Sequence, residues 1–545
     1  MTWDEAYDVV VLGSGLSGLS GALAARHRGL STIVLEKGPK VGGGTSYSTG
    51  ELWIPLNSFA RKEEIADSRE EAIAYMRYLG AGYERTEHML AFIDHAPVAL
   101  DHFAQHGIRF QLVHGLPDHY YDKAPGSRPD GRMIEPQLIA GRELGDWQDR
   151  VETAAHLPAG VTFDEIIKWG GRGNQKNWDQ TVLAKRQRDD MRGLGVSLTA
   201  QFLKALLAEG GTVRISTPAV RLIIEDDRII GVIARQNGLE VRVAARRGVI
   251  IASGGYESNP ALIREYEGIG EENWQSMFSA DLAGDGLMMG AEIGAKIYVL
   301  PVNMGTFLGF RVPGKSPEDL PTYRPATVGM TSYPHTIIVN KRGERFGDES
   351  YFPAIVAAAR RFDAWAHTFP NMPCYVIFDQ NYVEKYSFNG APAGSAIPPW
   401  VSHAKNLDEL AESLEIAPAQ LAATVERFNR NAAKGEDPDF GRGSAPWARL
   451  YGGDLTHTPS PNLGPIDQPP YYAVRLRLSG ASSAGLMTNL HAQVLRVRGE
   501  PILGLYASGN AAACIDFGAG YQAGESLARG MTWSYLAVRH MAEGS

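Results

Sequence analysis

Cysteine is almost absent from the sequence. The two cysteines, Cys374 and Cys514, lie far apart and outside any CxxC or metal-ligand spacing, so neither a disulfide framework nor a zinc site is expected. The fourteen histidines show no HExxH or triad spacing. We therefore predict no metal site, and a protein that resides in the reducing cytoplasm.

The sequence also lacks an excess of positive charge and any long apolar run. A net charge of −9 argues against a protein that grips nucleic acid through phosphate contacts. No stretch of about 18 apolar residues occurs, so no membrane span is predicted, whereas peripheral contact with a lipid surface stays open. The acidic start, MTWDEAYDVVVLG, has no basic n-region, and we interpret it as a strand, not a signal peptide.

The composition that remains is that of a globular protein with more than one core. Hydrophobic residues make up 44% and charged residues 21% of the 545 positions, and a chain of this length divides into two or more units. Between about residues 282 and 454 the sequence turns to mixed elements rich in Pro, Gly and aromatics. This change predicts an inserted second domain.

A glycine motif follows the first strand. Residues 13–18 form a GxGxxG between an apolar strand at 7–12 and a small-residue helix at 16–28, and Glu36 ends the next strand. The glycines allow a tight turn, close approach to a pyrophosphate and close helix–sheet packing, while Glu36 can accept hydrogen bonds from a ribose. An ordinary glycine turn is the alternative, which the strand, the helix and the acid about 20 residues on disfavour.

Three further glycine-rich segments follow predicted strands. They are residues 42–50, Gly254-Gly255 after VIIAS, and residues 505–510. A flexible loop is the alternative for residues 42–50. However, four glycine-rich segments that each allow a ligand close to the backbone are hard to explain as ordinary turns. The predicted dinucleotide contacts are Gly13, Ser14, Gly15, Leu16, Ser17, Gly18, Glu36, Lys37, Gly43, Gly44, Thr45, Ser46, Gly50, Val220, Ala252, Ser253, Gly254, Gly509, Asn510, Ser526 and Leu527.

These residues carry a family resemblance. DVVVLGSGLSGL, EKGPKVGGGTSYSTGELWIP, VIIASGGYESNP, IIVNKRGERFGDES and GLYASGN…GAGYQAGESLARGMT resemble the flavoprotein family of fumarate reductases and 3-ketosteroid dehydrogenases, nearest the 3-ketosteroid Δ1-dehydrogenase branch. The resemblance implies an α/β fold with a discontinuous Rossmann-like domain that binds noncovalent FAD, formed by residues 1–281 and 455–545. It also implies an inserted α+β catalytic domain at 282–454.

The segment that stands in place of a fumarate-reductase motif indicates to which branch of the family the chain is similar. Fumarate-type reductases carry a histidine-rich run before the last flavin strand, whereas this chain has residues 479–486, SGASSAGL. An anionic substrate would also require an arginine clamp, and two arginines of the inserted region, Arg342 and Arg345, lie in a predicted solvated hairpin. Dicarboxylate reduction is therefore disfavoured. The resemblance implies instead FAD-dependent α,β-desaturation of a small apolar cyclic ketone, most simply a 3-ketosteroid, with an external electron acceptor.

The resemblance assigns the protein's part of this chemistry to tyrosines, which can polarise a carbonyl or accept a proton. The first-domain tyrosine of the family corresponds to Tyr120 or Tyr121. The tyrosine of the inserted domain corresponds to Tyr351, displaced by about two positions. The carbonyl-binding pair corresponds to Tyr521, displaced by one, and to the backbone amide of Gly524.

Several alternatives stay open. A given tyrosine is more often a packing residue than a catalyst, and His114, His119 and His335 are interpreted as surface or structural histidines first. A smaller alicyclic ketone, or a ketosteroid desaturated at another ring position, is the alternative substrate. A flavin ene-reductase and a non-enzymatic FAD-containing redox sensor are the other classes.

Overall fold

The computed structural model describes residues 2–300, 306–314, 322–327, 329–480 and 483–544. Ala481 and Ser482, in the segment that replaces the histidine-rich run, lie outside these residues. The strands are β1 (Glu5–Leu12), β2 (Thr32–Leu35), β3 (Leu52–Trp53), β4 (Phe110–Leu112), β5 (Met133–Pro136), β6 (Ile139–Ala140), β7 (Met191–Arg192), β8 (Thr212–Arg214), β9 (Ala219–Glu225), β10 (Arg228–Gln236), β11 (Leu239–Ile251), β12 (Ile297–Val299), β13 (Thr306–Val312), β14 (Thr322–Pro325), β15 (Thr336–Asn340), β16 (Cys374–Asp379), β17 (Ser402–Ala404), β18 (Tyr471–Gly480), β19 (Ala484–Leu486), β20 (Gln493–Leu495) and β21 (Pro501–Ala507).

The helices connect these strands and cover both sheets. They are α1 (Leu16–Arg26), α2 (Gly43–Ser46), α3 (Ser58–Lys62), α4 (Arg69–Gly80), α5 (Thr86–Gln105), α6 (Phe163–Lys168), α7 (Gln180–Arg188), α8 (Leu194–Ala208), α9 (Pro260–Leu262), α10 (Asp285–Glu292), α11 (Phe352–Ala359), α12 (Gln380–Lys385), α13 (Leu407–Ser413), α14 (Pro418–Ala432), α15 (Pro446–Gly452) and α16 (Glu525–Glu543).

The first sheet joins the two ends of the chain. Its order is β20-β21-β10-β11-β1-β2-β8, with β9 beside β10. Strand β1 pairs in parallel with β11 and β2, and β21 pairs in parallel with β11. Val9, Val10 and Val11 are fully buried, which fits a central strand covered on both faces. The predicted α/β fold with a discontinuous Rossmann-like sheet is confirmed.

The second sheet is antiparallel and has the order β14-β13-β18-β16-β15, with β17 beside β18. Helix α11 packs against β13, and α13 contacts both β17 and β18. Strand β18 lies beyond residue 454, which the sequence placed at the end of the inserted domain. The domain borders themselves stay predictions.

Two glycines fix the elements that bound the site. A Cβ on Gly18 would lie 1.9 Å from the carbonyl oxygen of Gly13, so α1 packs directly against the turn that precedes it. Gly524, at the start of α16, has a φ of +84°, and a Cβ there would lie 2.6 Å from the backbone nitrogen of Trp53. Both positions require glycine for steric reasons.

Candidate active site

A cavity of ≈ 560 Å³ is lined by residues from the elements of both sheets. One half of its wall is formed by the glycine-rich segments of the first sheet. The predicted dinucleotide contacts on this wall are Gly13, Ser14, Gly15, Leu16, Ser17, Glu36, Lys37, Gly43, Gly44, Thr45, Gly50, Ala252, Ser253, Gly254, Gly509, Asn510, Ser526 and Leu527. Gly18, Ser46 and Val220 are not part of the wall: Gly18 lies under the turn, and the Ser46 hydroxyl contacts Thr199 Oγ1 at 3.1 Å.

Hydrogen bonds tie the two glycine motifs together. The backbone amide and hydroxyl of Ser14 donate to Glu36 Oε2 at 3.0 and 2.5 Å, and the Gly38 amide donates to Glu36 Oε1 at 2.7 Å. The Leu16 amide donates to Thr45 Oγ1 at 2.9 Å. Burial raises the pKa of Glu36, and these hydrogen bonds oppose that rise. The carboxylate is thereby held at the rim of the glycine turn.

This half of the wall fits a dinucleotide. Helix α1 begins after Gly15 without a side-chain cap, so amide groups at its N-terminus face the cavity and favour a phosphate there. The hydroxyl of Ser253 is buried and has no hydrogen-bond partner among the described residues. A polar group of a ligand would satisfy that hydroxyl.

The other half of the wall is aromatic and comes largely from the second sheet and its helices. Tyr521 stands against it, with ring centroids 5.3 Å from Phe352 and 6.2 Å from Phe307. Such a wall suits a flat apolar ligand. Its aromatic members are Phe307, Phe310, Tyr333, Phe352, Tyr382, Phe388, Trp447, Tyr451 and Tyr521.

Tyr521 and Gly524 lie at the junction of the two halves. Both line the cavity, and Ser526 and Leu527 on the glycine-rich wall follow them directly. Gly524 is fixed by its carbonyl oxygen, which accepts a hydrogen bond from the Trp53 amide at 3.2 Å. Burial raises the pKa of Tyr521 well above its usual value, so its hydroxyl stays protonated and can donate.

The other predicted tyrosines stand outside the cavity wall. The Tyr351 hydroxyl donates to the carbonyl oxygen of His119 at 3.3 Å, and the Tyr351 and Tyr120 rings contact edge to face at 5.8 Å. Burial raises the pKa of Tyr120 to about 12. Hydrogen bonds to Tyr120 from the Tyr351 side chain and the Tyr521 amide oppose this rise. Tyr120 and Tyr351 thus support the segment that carries Tyr521, and Tyr121 does not reach the wall. Their catalytic roles stay predictions.

A buried carboxyl on the wall was not singled out from the sequence. Glu51 is 2% exposed, and its Oε2 accepts hydrogen bonds from the hydroxyls of Thr49 at 2.6 Å and Tyr451 at 3.5 Å. Its Oε1 has no partner among the described residues. Burial raises the pKa of Glu51 to about 7, while Thr49, Arg172 and Tyr451 oppose the rise. An acid directly after the glycine cluster at 42–50 was the available indication.

Arg345 is a correction to the sequence analysis. It was expected in a solvated hairpin, but its guanidinium is buried in ion pairs with Glu349 at 2.7 Å and Asp437 at 2.9 Å. Arg342 is exposed and pairs with Glu344. Neither arginine lines the cavity. Of the histidines that the sequence singled out, His114, His119 and His335 also lie off the wall.

Three histidines form a cluster at the C-terminal ends of helices α1 and α5 and do not line the cavity. The candidate ligand nitrogens of His27, His102 and His106 lie within 4.8 Å of one another. His27 Nδ1 and His102 Nε2 are 2.9 Å apart. Burial lowers the pKa of both rings to about 4. The rings of His27 and His106 stack at 4.0 Å, and the expectation that the protein binds no metal stays a prediction.

The fold and the two-part cavity define a flavoprotein oxidoreductase. The chain matches the FAD-binding-domain family over residues 8–527, and it belongs to that family. FAD is therefore the cofactor, as predicted, and the protein is an FAD-dependent dehydrogenase. None of the helices in the described residues is long and apolar enough to cross a membrane.

Known proteins resemble the chain over almost its full length. It is 35% identical to 4-oxocyclohexanecarboxylate 2-dehydrogenase of Sinomonas cyclohexanicum, covering 99% of this chain and 93% of the relative. It is 32% identical to 3-oxosteroid 1-dehydrogenase of Mycobacterium tuberculosis, covering 99% of each. The crystal structure of 3-ketosteroid Δ1-dehydrogenase from Sterolibacterium denitrificans, in complex with 1,4-androstadiene-3,17-dione, aligns with a TM-score of 0.89 at 29% identity, over 99% of this chain and 100% of that one. The predicted family resemblance is confirmed.

Proposed function

We propose that the protein desaturates a cyclic ketone between the carbons α and β to the carbonyl. The observation that carries this proposal is the place of Tyr521 and Gly524, at the junction between the glycine-rich wall and the aromatic wall. A ketone there lies beside the cofactor half of the cavity, with its ring against the aromatic side chains. FAD, when bound, supplies the acceptor for the hydride that leaves the β-carbon.

Tyr521 and Gly524 would polarise the ketone. The hydroxyl of Tyr521 and the backbone amide of Gly524 would both donate to the ketone oxygen, and donors fixed in place stabilise the negative charge that develops on an enolate oxygen. The Trp53 amide holds Gly524 through its carbonyl oxygen, so its orientation does not depend on substrate. This arrangement acidifies the α-carbon.

Tyr451 and Glu51 would accept the α-proton. In this step the C–H bond at the α-carbon breaks, the proton moves to the Tyr451 oxygen, and the proton of Tyr451 passes to the Glu51 carboxylate. The electron pair forms the enolate. The net acceptor is a carboxyl whose pKa of about 7 suits a general base at neutral pH. The proposed proton acceptor is therefore not Tyr351, because Tyr351 lies behind the cavity wall.

Two substrate classes follow from the relatives. One relative is named for a 3-oxosteroid and another for 4-oxocyclohexanecarboxylate, and both are cyclic ketones. The aromatic wall supports a steroid desaturated at C1–C2. Charged side chains on the same wall favour the smaller, carboxylate-bearing ketone. An external electron carrier, a cytoplasmic location and the domain borders at 281 and 454 belong to the same proposal.

An anaerobic titration tests the direction of the reaction. The purified yellow holoenzyme is mixed with androst-4-ene-3,17-dione or with 4-oxocyclohexanecarboxylate, and the visible absorbance of oxidised flavin is followed. Loss of that absorbance together with an enone product supports the proposal and identifies the substrate class. Activity only when reduced enzyme meets an enone would favour an ene-reductase instead.

A further inference from the structure

Two arginines line the aromatic half of the cavity, Arg172 and Arg324. Arg172 opens a short 3₁₀ segment at Arg172–Asn177, and Arg324 lies on β14. In the part of the chain that the structure describes, neither guanidinium has a carboxylate within salt-bridge distance. Arg172 stands 5.8 Å from the ring of Tyr451, and Arg324 Nε donates to Asn389 Oδ1 at 3.0 Å.

The two guanidiniums lie near a common neighbour. Burial lowers the pKa of His156, and together with the positive charges of Arg172 and Arg324 it brings that pKa to about 4. All three side chains line the same cavity, and the two guanidiniums act electrostatically on this buried imidazole. His156 also lines the cavity, and its Nε2 lies 3.1 Å from the Tyr47 carbonyl oxygen. The ring is neutral at pH 7, so it adds no charge of its own.

Partly buried cations without an anion are costly. Burial lowers the pKa of Arg324, which shows that its surroundings disfavour the charged form. Glu51 attracts Arg172 electrostatically, but its carboxyl does not pair with that guanidinium. Glu51 Oε2 accepts hydrogen bonds from Thr49 and Tyr451, and Glu51 Oε1 has no hydrogen-bond partner among the described residues. A buried charge is normally balanced by a paired ion. The missing anion would come from a ligand.

We propose that Arg172 and Arg324 form a carboxylate subsite, and that the substrate is a cyclic ketone with a carboxylate on the part of the molecule away from the carbonyl. This inference rests on the proposed function. Guanidinium groups bind carboxylates through paired, charge-assisted hydrogen bonds. Tyr451 would connect this subsite to the reacting carbons, because its ring centre lies 5.8 Å from the Arg172 guanidinium and its hydroxyl contacts Glu51. Binding of the carboxylate would therefore fix which ring carbons face the proton acceptor.

The cofactor is a weaker candidate for these two cations. The diphosphate of FAD already has the N-terminus of α1 and the glycine-rich segments, which lie on the opposite half of the wall. Arg172 and Arg324 belong to the aromatic half. If they nevertheless served the cofactor, their loss would weaken FAD binding, and that outcome is measurable.

The test compares two ketones of nearly equal shape on holoenzyme. 4-Oxocyclohexanecarboxylate carries the charge and 4-oxocyclohexanecarboxamide does not. The readout is the ratio of kcat/KM for the acid to that for the amide, in the wild type and in Arg172→Gln, Arg324→Gln and the exposed control Arg342→Gln. We expect either cavity variant to lower this ratio by about 10- to 100-fold, mainly through KM, as the loss of one charge-assisted pair implies. The control should leave the ratio within about twofold.

A second measurement separates this inference from the reaction itself. Cyclohexanecarboxylate has no ketone, and its binding to the oxidised holoenzyme can be measured by titration calorimetry. Binding to the wild type that is lost in Arg172→Gln supports the subsite even if neither ketone is desaturated. An unchanged acid-to-amide ratio in both variants, or a loss of bound FAD from them that accounts for the whole effect, would overturn it.

Discussion

The Tyr451 hydroxyl lies 3.5 Å from Glu51 Oε2, and both are 2.6 to 3.2 Å from the Thr49 hydroxyl. Tyr451 is stacked between Trp447 at 4.4 Å and Phe163 at 4.7 Å, which fixes its ring. The phenol can pass a proton to the Glu51 carboxyl directly, or through the Thr49 hydroxyl, which itself donates to Glu51 Oε2. The pair is therefore a proton route from the cavity into the protein.

Glu51→Gln should lower the rate of flavin reduction by ketone by about 10²- to 10⁴-fold, the range typical of a lost general base. The wild-type rate should rise with pH up to about 7, where Glu51 titrates, and the variant should lack that dependence. Stopped-flow kinetics between pH 5.5 and 8.5 measure both. Glu63→Gln, at an exposed site, is the control. A variant that keeps the wild-type pH profile would remove Glu51 from the proton route.

The same substitution should change stability with pH in a defined direction. The pKa of Glu51 is raised from 4.5 to about 7 in the folded protein, so the folded state binds this proton more tightly than the unfolded chain does. The contribution of the Glu51 carboxyl to the free energy of unfolding is therefore fully present below pH 4.5 and is lost as the pH rises to about 7. Glu51→Gln avoids that loss, which amounts to on the order of 3 kcal/mol. The Tm difference between variant and wild type should grow from pH 5 to pH 8; a constant difference would contradict this origin.

Tyr521→Phe should reduce kcat/KM for the ketone by about 10- to 100-fold, because it removes one donor to the enolate oxygen. Tyr351→Phe removes a hydrogen bond to the His119 carbonyl oxygen behind the wall, and it should cost about 1 kcal/mol of stability with little effect on rate. Steady-state kinetics and thermal unfolding of both variants separate the two roles. Equal losses of rate in Tyr521→Phe and Tyr351→Phe would show that Tyr351 has a catalytic role.

Gly18→Ala should lower FAD affinity by at least about tenfold, because the added Cβ would meet the Gly13 carbonyl oxygen at 1.9 Å and displace the turn that faces the cofactor. Gly29→Ala, where nothing lies within 4 Å of the new Cβ but φ is +73°, controls for the loss of stability from a glycine substitution that does not touch the turn. The ratio of flavin to protein after dialysis measures the effect. Full retention of FAD by Gly18→Ala would show that the turn can shift without loss of binding.

The sequence allowed the fold and the cofactor wall to be predicted because their residues follow local rules. A glycine turn between a strand and a helix, with an acid at the end of the next strand, is typical of dinucleotide binding, and Gly13 and Glu36 both line the cavity. The aromatic wall has no such local pattern. Arg172, Arg324 and Tyr451 come from separate segments, and only the folded chain brings them together.

Tyrosine positions show the limit of transfer from a family. Tyr351 is two positions from the family's place, and that shift puts it at the start of α11 facing His119. Tyr521 is displaced by one position yet lines the cavity, because the turn before Gly524 directs it toward Phe352. A displacement in sequence therefore has no fixed consequence in space, since the local backbone decides where each ring points.

The most direct test of the account is a single anaerobic turnover with ketone deuterated at either the α- or the β-carbon. The account predicts one equivalent of enone for each flavin reduced. It also predicts slower loss of flavin absorbance with the β-deuterated ketone, because the hydride step breaks the bond to that hydrogen. The α-hydrogen should be released to solvent. Bleaching without enone, or a label that is lost from only one of the two labelled ketones, would contradict desaturation.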